Sequence, residues 1–396
     1  MSKQKAISGS SKMGSCEATQ PCCGSATEVA FNSTCCSQRG EDQTSLPSPK
    51  QPFVRGSVPT PVGAVPQIPS TLTLADRWGS IKARWGVGRM HFTVEPGLYA
   101  LGRPDDRAPV LVTANYKMSF DRLREALPGR DTWILVLDTK GINVWCSAGK
   151  GTFGTDELVR RIECSGLAQV VSHREVILPQ LAGPGVAAHQ VKTRSRFTVI
   201  YGPIRATDLP AFMDAGLSAT PEMRRKTFTT RERLALVPVE LVGALKWAVI
   251  ILPVFFLLGG LGGPGGFWDN AVEYGLYAVL TLAGALVAGA VLTPLLLPWL
   301  PGRAFSLKGV IMGLITAGIL TVFLAGDVAT WSGRLDMLAW FLLAPAVAAY
   351  LAMNFTGCST YTSLSGVRRE MKWAVPLEIA AGGVGLCLWL GARVIA

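Results

Sequence analysis

Nine cysteines occur in 396 residues, yet no two are spaced as C-x-x-C. That absence removes the usual ligand sets of iron–sulfur clusters and structural zinc sites. Histidine is scarce too, at three residues (His91, His173 and His189), which leaves few candidates for a general base. Charged side chains make up 16% of the chain, against about 25% in ordinary soluble domains. A wholly soluble enzyme is therefore excluded, and the apolar excess lies almost entirely after residue 236. The amino terminus has lysines, Lys3 and Lys5, but no apolar run behind them. No secretory signal is read there, and the amino-terminal part is expected in the cytoplasm.

What is present begins with charge. The net charge is +11, and much of it sits in Arg224, Arg225, Lys226, Arg231 and Arg233. A basic cluster directly before an apolar span reads as a topology signal, so no nucleic-acid partner is expected. Five apolar spans follow, at roughly 241–261, 272–298, 308–326, 335–355 and 373–392. Each has about the 20 residues that cross a bilayer as a helix. The second is long enough to tilt, or to break near Pro294. Arg303 and Lys308 flank one loop and Arg368, Arg369 and Lys372 the next but one, while Asp269, Glu273, Asp327 and Asp336 mark the opposite side. The positive-inside rule then gives a multi-pass protein of the inner (cytoplasmic) membrane, embedded in lipid, with its soluble part cytoplasmic. Lys246 and Glu378 are among the few ionisable residues inside the spans, so an anchor and docking platform is expected rather than a transporter.

Residues 1–70 are rich in Ser, Thr, Gly, Gln and Pro and read as a disordered extension, whose thiols (Cys16, Cys22, Cys23, Cys35, Cys36) have no fixed geometry. Residues 71–235 alternate short apolar runs with helical patterns. Val110–Thr113, Trp133–Leu137, Gln169–Val171, Val176–Ile177 and Phe197–Tyr201 are strand candidates. Helices are expected from Ser119 to Leu127, and again after Thr155 as N-cap, with Asp156 and Glu157 in the first turn. This alternation predicts a mainly parallel α/β sheet with helices on both faces. The expected division is a 1–70 extension, a 71–235 cytoplasmic domain and a 236–396 domain of five transmembrane helices.

One octet stands out, Asn143-Val-Trp-Cys-Ser-Ala-Gly-Lys150, placed directly after the strand candidate Trp133–Leu137. Ligand sites of open α/β sheets form just beyond the carboxyl ends of strands. A lone thiol there, Cys146, suits a nucleophile or a soft metal ligand. A nucleophile needs a base within reach, and His173, after the next strand candidate, is the one to consider. Gly149, Gly151 and Gly154 match G-x-G-x-x-G, which with Glu175 would suit a membrane-tethered, dinucleotide-binding oxidoreductase. In that fingerprint, however, the first glycine follows the strand at once, whereas here Asn143–Ala148 intervene, so a plain turn is preferred.

The octet resembles the cap-helix signature of the HgcA family, the membrane-bound corrinoid proteins of anaerobic mercury methylation. The similarity runs through most of 100–240, in Val112-Thr-Ala-Asn-Tyr-Lys117, Leu135-Val-Leu-Asp-Thr-Lys-Gly-Ile142, Gly151-Thr-Phe-Gly-Thr155 and Val176–Gly185. Ser147 stands where many members have Ala. The resemblance implies a Rossmann-like corrinoid-binding domain followed by five membrane helices. It implies that 143–150 forms a short cap helix, with Cys146 as the lower axial ligand of cobalt. The corrinoid would contact Thr113, Asn143, Val144, Trp145, Cys146, Ser147, Ala148, Gly149, Lys150, Gly151, Thr152 and Gly154. The implied activity is a corrinoid-dependent methyltransferase passing a cobalt-carried methyl group to Hg(II), giving methylmercury. A thiolate trans to the cobalt–carbon bond would favour departure of methyl as a carbanion equivalent, which a soft Hg(II) accepts. The histidine motif D-x-H-x-x-G is missing around all three histidines, as cysteine ligation predicts. The implied partners are an HgcB-like ferredoxin with two 4Fe–4S clusters, to restore reduced cobalt, and a methyl donor protein or methyltetrahydrofolate.

Overall fold

The computed structural model describes residues 46–324, 329–356 and 364–395. The five cysteines of the amino-terminal extension, Asp327 and Cys358 lie outside the described residues. Seven strands form one sheet: β1 (Gly56–Thr60), β2 (Gly63–Ile68), β3 (Gly97–Leu101), β4 (Val110–Ala114), β5 (Thr132–Leu137), β6 (Glu175–Leu178) and β7 (Thr198–Tyr201). Their order is β1-β2-β3-β5-β4-β6-β7. Strands β4 to β7 are mutually parallel, β3 opposes β5, β2 runs parallel to β3, and β1 folds back on β2.

β4 and β5 are buried at every position, because parallel strands covered on both faces are apolar throughout. The two-residue period still divides them. Trp133, Leu135 and Leu137 join Val110 and Val112 in one core, beneath α3 (Val144–Lys150), α4 (Thr155–Cys164), α5 (Leu167–Val170) and α6 (Ala188–Ser195). Ile134 and Val136 join Leu111 and Tyr99 in the other, beneath α2 (Lys117–Glu125) and α7 (Leu209–Asp214). The chain is thus a mixed α/β sheet domain, with helices on both faces, followed by helices long and apolar enough to cross a membrane.

Helix α1 (Leu74–Arg84) is bound to α2 by buried charge. Lys117 Nζ lies 2.6 Å from Asp76 and 2.7 Å from Asp121; Arg124, whose side chain is fully buried, lies 2.9 Å and 2.8 Å from the same two carboxylates. Arg124 also donates to the carbonyls of Pro69 and Thr71. Burial alone would raise the Asp76 carboxyl, but hydrogen bonds from Lys117 and Thr73 hold it well below the usual carboxylate range.

Three sequence expectations need correction. The extension expected to be unstructured up to residue 70 contains the β1–β2 hairpin, with Val65 and Ile68 buried. Pro59, Pro61 and Pro66 mimic loop composition, but a hairpin at a sheet margin tolerates proline. Gln169–Val171 is not a strand: Gly166 starts a short helical turn over Leu167–Val170 instead. Thr155 is the first helical residue rather than the N-cap. Gly154 holds the cap position, and the Thr155 hydroxyl accepts the Ala187 N–H at 2.9 Å.

Among the described residues, the segments long and apolar enough to cross a membrane are 230–259, 267–296, 305–323, 331–353 and 366–395. The first is α8 (Thr230–Leu234) running into α9 (Val237–Gly259). The second holds α10 (Phe267–Asn270), α11 (Leu276–Val287) and α12 (Thr293–Leu296), joined by π-helical turns at Ala271–Gly275 and Ala288–Leu292. Its irregularity therefore begins well before Pro294. The others are α13 (Phe305–Leu324), α14 (Trp331–Met353) and α15 (Leu364–Ile395). Small residues let them approach closely: a Cβ on Gly313 would lie 2.5 Å from Pro345 Cα. Near the helix ends Arg393 pairs with Asp336 at 2.5 Å and sits 3.8 Å from the centre of the Tyr274 ring.

Candidate functional site

The loop after β5 is built around Asn115, the residue that follows β4. The Asn115 N–H donates to Leu137 O, and its side-chain oxygen accepts from the Thr139 N–H (3.1 Å), the Thr139 hydroxyl (2.8 Å) and the Gly141 N–H (3.0 Å). Lys140 and Gly141 both take positive φ, 58° and 70°. The turn therefore needs a buried amide to satisfy its crowded donors. The Asp138 carboxyl, which burial alone would raise, is held below its ordinary value by hydrogen bonds from Lys140.

This turn launches α3. Asn143 is its N-cap, and its side-chain oxygen accepts the Cys146 N–H at 2.9 Å. The Ser147 hydroxyl is buried and donates back to the carbonyls of Asn143 and Val144. Ser147 O in turn accepts the N–H groups of Thr152 and Phe153. Ala148 packs where a Cβ on Gly185 would come within 3.0 Å of its Cα. Cys146 lies in the first turn of this pinned helix, half-buried, with a free thiol.

Beside α3 is a cavity of about 420 Å³. It opens at the carboxyl ends of β4 and β6, walled by Leu111, Val112, Thr113, Ile177 and Leu178 and by Asn143, Val144 and Trp145. In the order β5-β4-β6-β7 the connections leave β4 and β6 in opposite directions. Such a switch point opens a crevice beyond the strand ends, where doubly wound sheets bind ligands. The rest of the boundary includes Pro179, Pro203, Ile204 and Leu236 and three arginines, Arg84, Arg89 and Arg122. Arg122 is paired with Glu125 at 3.0 Å, and Arg89 sits 5.9 Å from the centre of the Tyr116 ring. Burial, then the neighbouring Arg122, lowers the Arg84 guanidinium from its ordinary value. Burial raises the Tyr116 phenol. The result is an apolar crevice with a cationic rim.

Of the predicted residues, Thr113, Asn143, Val144 and Trp145 line this cavity; Cys146, the next residue along α3, does not. Ser147 and Ala148 are buried in the support of α3. Gly149, Lys150 and Gly151 are exposed at its far end, and Thr152 and Gly154 form the turn to α4; none of these seven lines the cavity. Gly149 is inside α3 and Gly151 is its left-handed C-cap. The three glycines therefore do not form the strand-to-helix turn of a dinucleotide site. His173 stands at the amino end of β6, its Nε2 at 3.0 Å from Ala108 O, so it cannot serve as a base for Cys146. Sequence reasoning missed Asn115 and the arginine rim. The rim residues lie 21 to 59 positions before the octet, and only the fold brings them to it.

Residues 87–213 match the family model of the CO dehydrogenase/acetyl-CoA synthase delta subunit. That stretch holds β3 to α7, hence the four parallel strands, α3 and most of the cavity. Curated relatives are gamma subunits of acetyl-CoA decarbonylase/synthase complexes. The protein from Methanopyrus kandleri is 32% identical over 123 residues, 31% of this chain and 26% of the relative. That from Methanocaldococcus jannaschii is 32% identical over 122 residues, 30% and 25% of the two chains. Subunit gamma 2 of Methanosarcina thermophila is 32% identical over 130 residues, 32% and 27%. The chain spans about a quarter of the length of these relatives. The similarity belongs to the sheet domain.

Proposed function

We propose that this chain is a membrane-bound corrinoid protein that carries a methyl group and transfers it to Hg(II), with Cys146 as the lower axial ligand of cobalt. The observation that carries this reading is a free, half-buried thiol in the first turn of α3, the helix whose residues Val144 and Trp145 line the cavity at the switch point of the sheet. The match of 87–213 to a subunit family of CO dehydrogenase/acetyl-CoA synthase supports the corrinoid part.

The residues suit such a group in three ways. A lone thiol, as thiolate, is an electron-rich donor that cobalt can accept. The walls are mainly apolar, and the arginine rim suits the phosphate of a corrinoid's nucleotide tail. When bound, a corrinoid supplies a methyl group that leaves as a carbanion equivalent. Cys146, as thiolate, would hold the cobalt of such a group and would supply electron density that favours methyl release. Asn143 and Ser147 fix the helix that carries it, so the sulfur is positioned before the cofactor arrives. Leu111, Val112, Ile177 and Leu178 exclude water from the reacting face. Thr113 and Trp145 line the cavity beside the ligand helix, while Lys150 faces solvent.

Electrons must come from outside, since the chain has no C-x-x-C pair. A ferredoxin with two 4Fe–4S clusters, of the HgcB kind, is the partner of this reading, and a methyl donor protein or methyltetrahydrofolate supplies the group. In this reading the soluble domain lies on the cytoplasmic side of the inner membrane, and it takes in the β1–β2 hairpin from Gly56, which belongs to its sheet.

The test is the anaerobic absorption spectrum of the full chain loaded with methylcobalamin, beside Cys146→Ala. A bound, shifted cobalt spectrum that reverts in the variant is expected, with loss of methylmercury formation from Hg(II). Identical spectra for both proteins remove Cys146 as ligand; no binding by either overturns the corrinoid assignment.

A further inference from the structure

Helix α1 carries the largest unpartnered apolar side chains of the sheet domain. Leu74 is 86% exposed, Trp78 60%, Ile81 46% and Trp85, at the C-cap, 47%. At 3.6 residues per turn these four fall within about 60° of arc. Asp76 and Ala83, both buried, lie on the opposite side of the helix. Arg77 and Arg84 flank the stripe on one side and Lys82 on the other. Val87 and Met90, each 62% exposed, continue the apolar surface past the helix end.

That end abuts the start of the first membrane-length segment. Arg84 Nη1 reaches Ala235 O at 3.5 Å, and a Cβ on Gly86 would lie 3.8 Å from Val242 Cγ1. From there α9 carries exposed Trp247, Val249 and Ile250 onward. We infer that α1 lies in the membrane–water interface, its Leu74-Trp78-Ile81-Trp85 stripe set between lipid headgroups and the upper acyl chains. The inference rests on the five long apolar helices crossing a bilayer, and on nothing assumed about the cavity.

Three observations favour a lipid surface over a protein partner. The stripe is a narrow ridge on a convex helix rather than a pocketed face, and two of its four members are tryptophans, which favour the membrane interface. Cations on both flanks match anionic headgroups, the pattern of a helix lying in the interfacial plane. The apolar surface also runs on into that of α9. Charge from Asp76 and Arg124 holds α1 to α2, so an interfacial α1 sets the tilt of the whole sheet domain and fixes the Arg84–Arg89 side of the cavity at headgroup level.

The full chain, reconstituted in nanodiscs of phosphatidylcholine and phosphatidylglycerol, allows a direct test. The photo-crosslinker p-benzoylphenylalanine replaces Trp78, Ile81 or, as control, Arg107, which is exposed in the loop before the amino end of β4, at the opposite end of that strand from the cavity. Phospholipid adducts are expected at positions 78 and 81 and none at 107. Protein adducts at 78, or lipid adducts no more abundant than at 107, overturn the proposal. Quenching of intrinsic fluorescence by brominated lipid gives a second reading, in which Trp78→Phe with Trp85→Phe should remove part of the quenched emission. Unchanged quenching overturns the proposal equally. Incorporation into the nanodisc is scored separately, so failure of insertion is not mistaken for failure of α1.

Discussion

The sheet domain and the helices long and apolar enough to cross a membrane bury their residues by opposite rules. In the sheet domain the large apolar side chains point inward, and Trp133, Tyr99, Phe120, Phe153 and Phe197 are fully buried. In the helices many of the largest point outward, among them Trp247, Val249, Phe323 and Ile379, while Ala and Gly fill the contacts between α13 and α14. Water drives the first arrangement. Lipid offers no such drive, so close backbone approach and hydrogen bonding hold the second. Helix α1 teaches the most here, because it belongs to the sheet domain yet obeys the membrane rule along one face.

Substitutions test that contrast. Arg124→Ala leaves Asp76 and Asp121 buried without their nearest guanidinium, and should cost about 3–5 kcal/mol of sheet-domain stability, read by chemical denaturation. Asp76 in the same network predicts acid sensitivity, against the opposite shift of Asp121, whose carboxyl burial raises. Because the Asp76 pKa is depressed in the folded state, its contribution is complete above the ordinary carboxylate value of 3.8 and is lost as pH falls below it. Unfolding followed from pH 6 to pH 2 should show that loss, and Asp76→Asn should flatten it. In the membrane part, Gly313→Leu would drive atoms into Pro345 and should cost about 1–3 kcal/mol, seen as a lower thermal midpoint in detergent. Asn143→Ala removes the α3 cap and should cost about 1 kcal/mol, with faster amide exchange at Cys146 as its local sign. Trp78→Ser should change sheet-domain stability by less than about 0.5 kcal/mol; a large loss would mean that the stripe packs against protein.

Much of the architecture is legible in the sequence because the strands and spans obey simple periods. Val110–Ala114 and Thr132–Leu137 are unbroken apolar runs, and the five membrane-length helices are long apolar stretches. The β1–β2 hairpin is not legible, since its prolines and glycines match loop composition and its partner, β3, lies some 30 residues on. Cys146 stands out by its neighbours alone, whereas its helix is expected only through the family resemblance, because a seven-residue helix carries no period of its own. Asn115 is invisible for a different reason. Its role is to satisfy a turn 23 to 26 residues downstream, a relation that exists only once β4 and β5 are paired.

Leu236 both borders the cavity and directly precedes α9. With the first span in a bilayer, the cavity is held by a single residue's length of chain. A protein that serves this site then gains little by searching in three dimensions. One confined to the same membrane, or drawn to its surface, meets the cavity at a fixed height, and its search reduces to two.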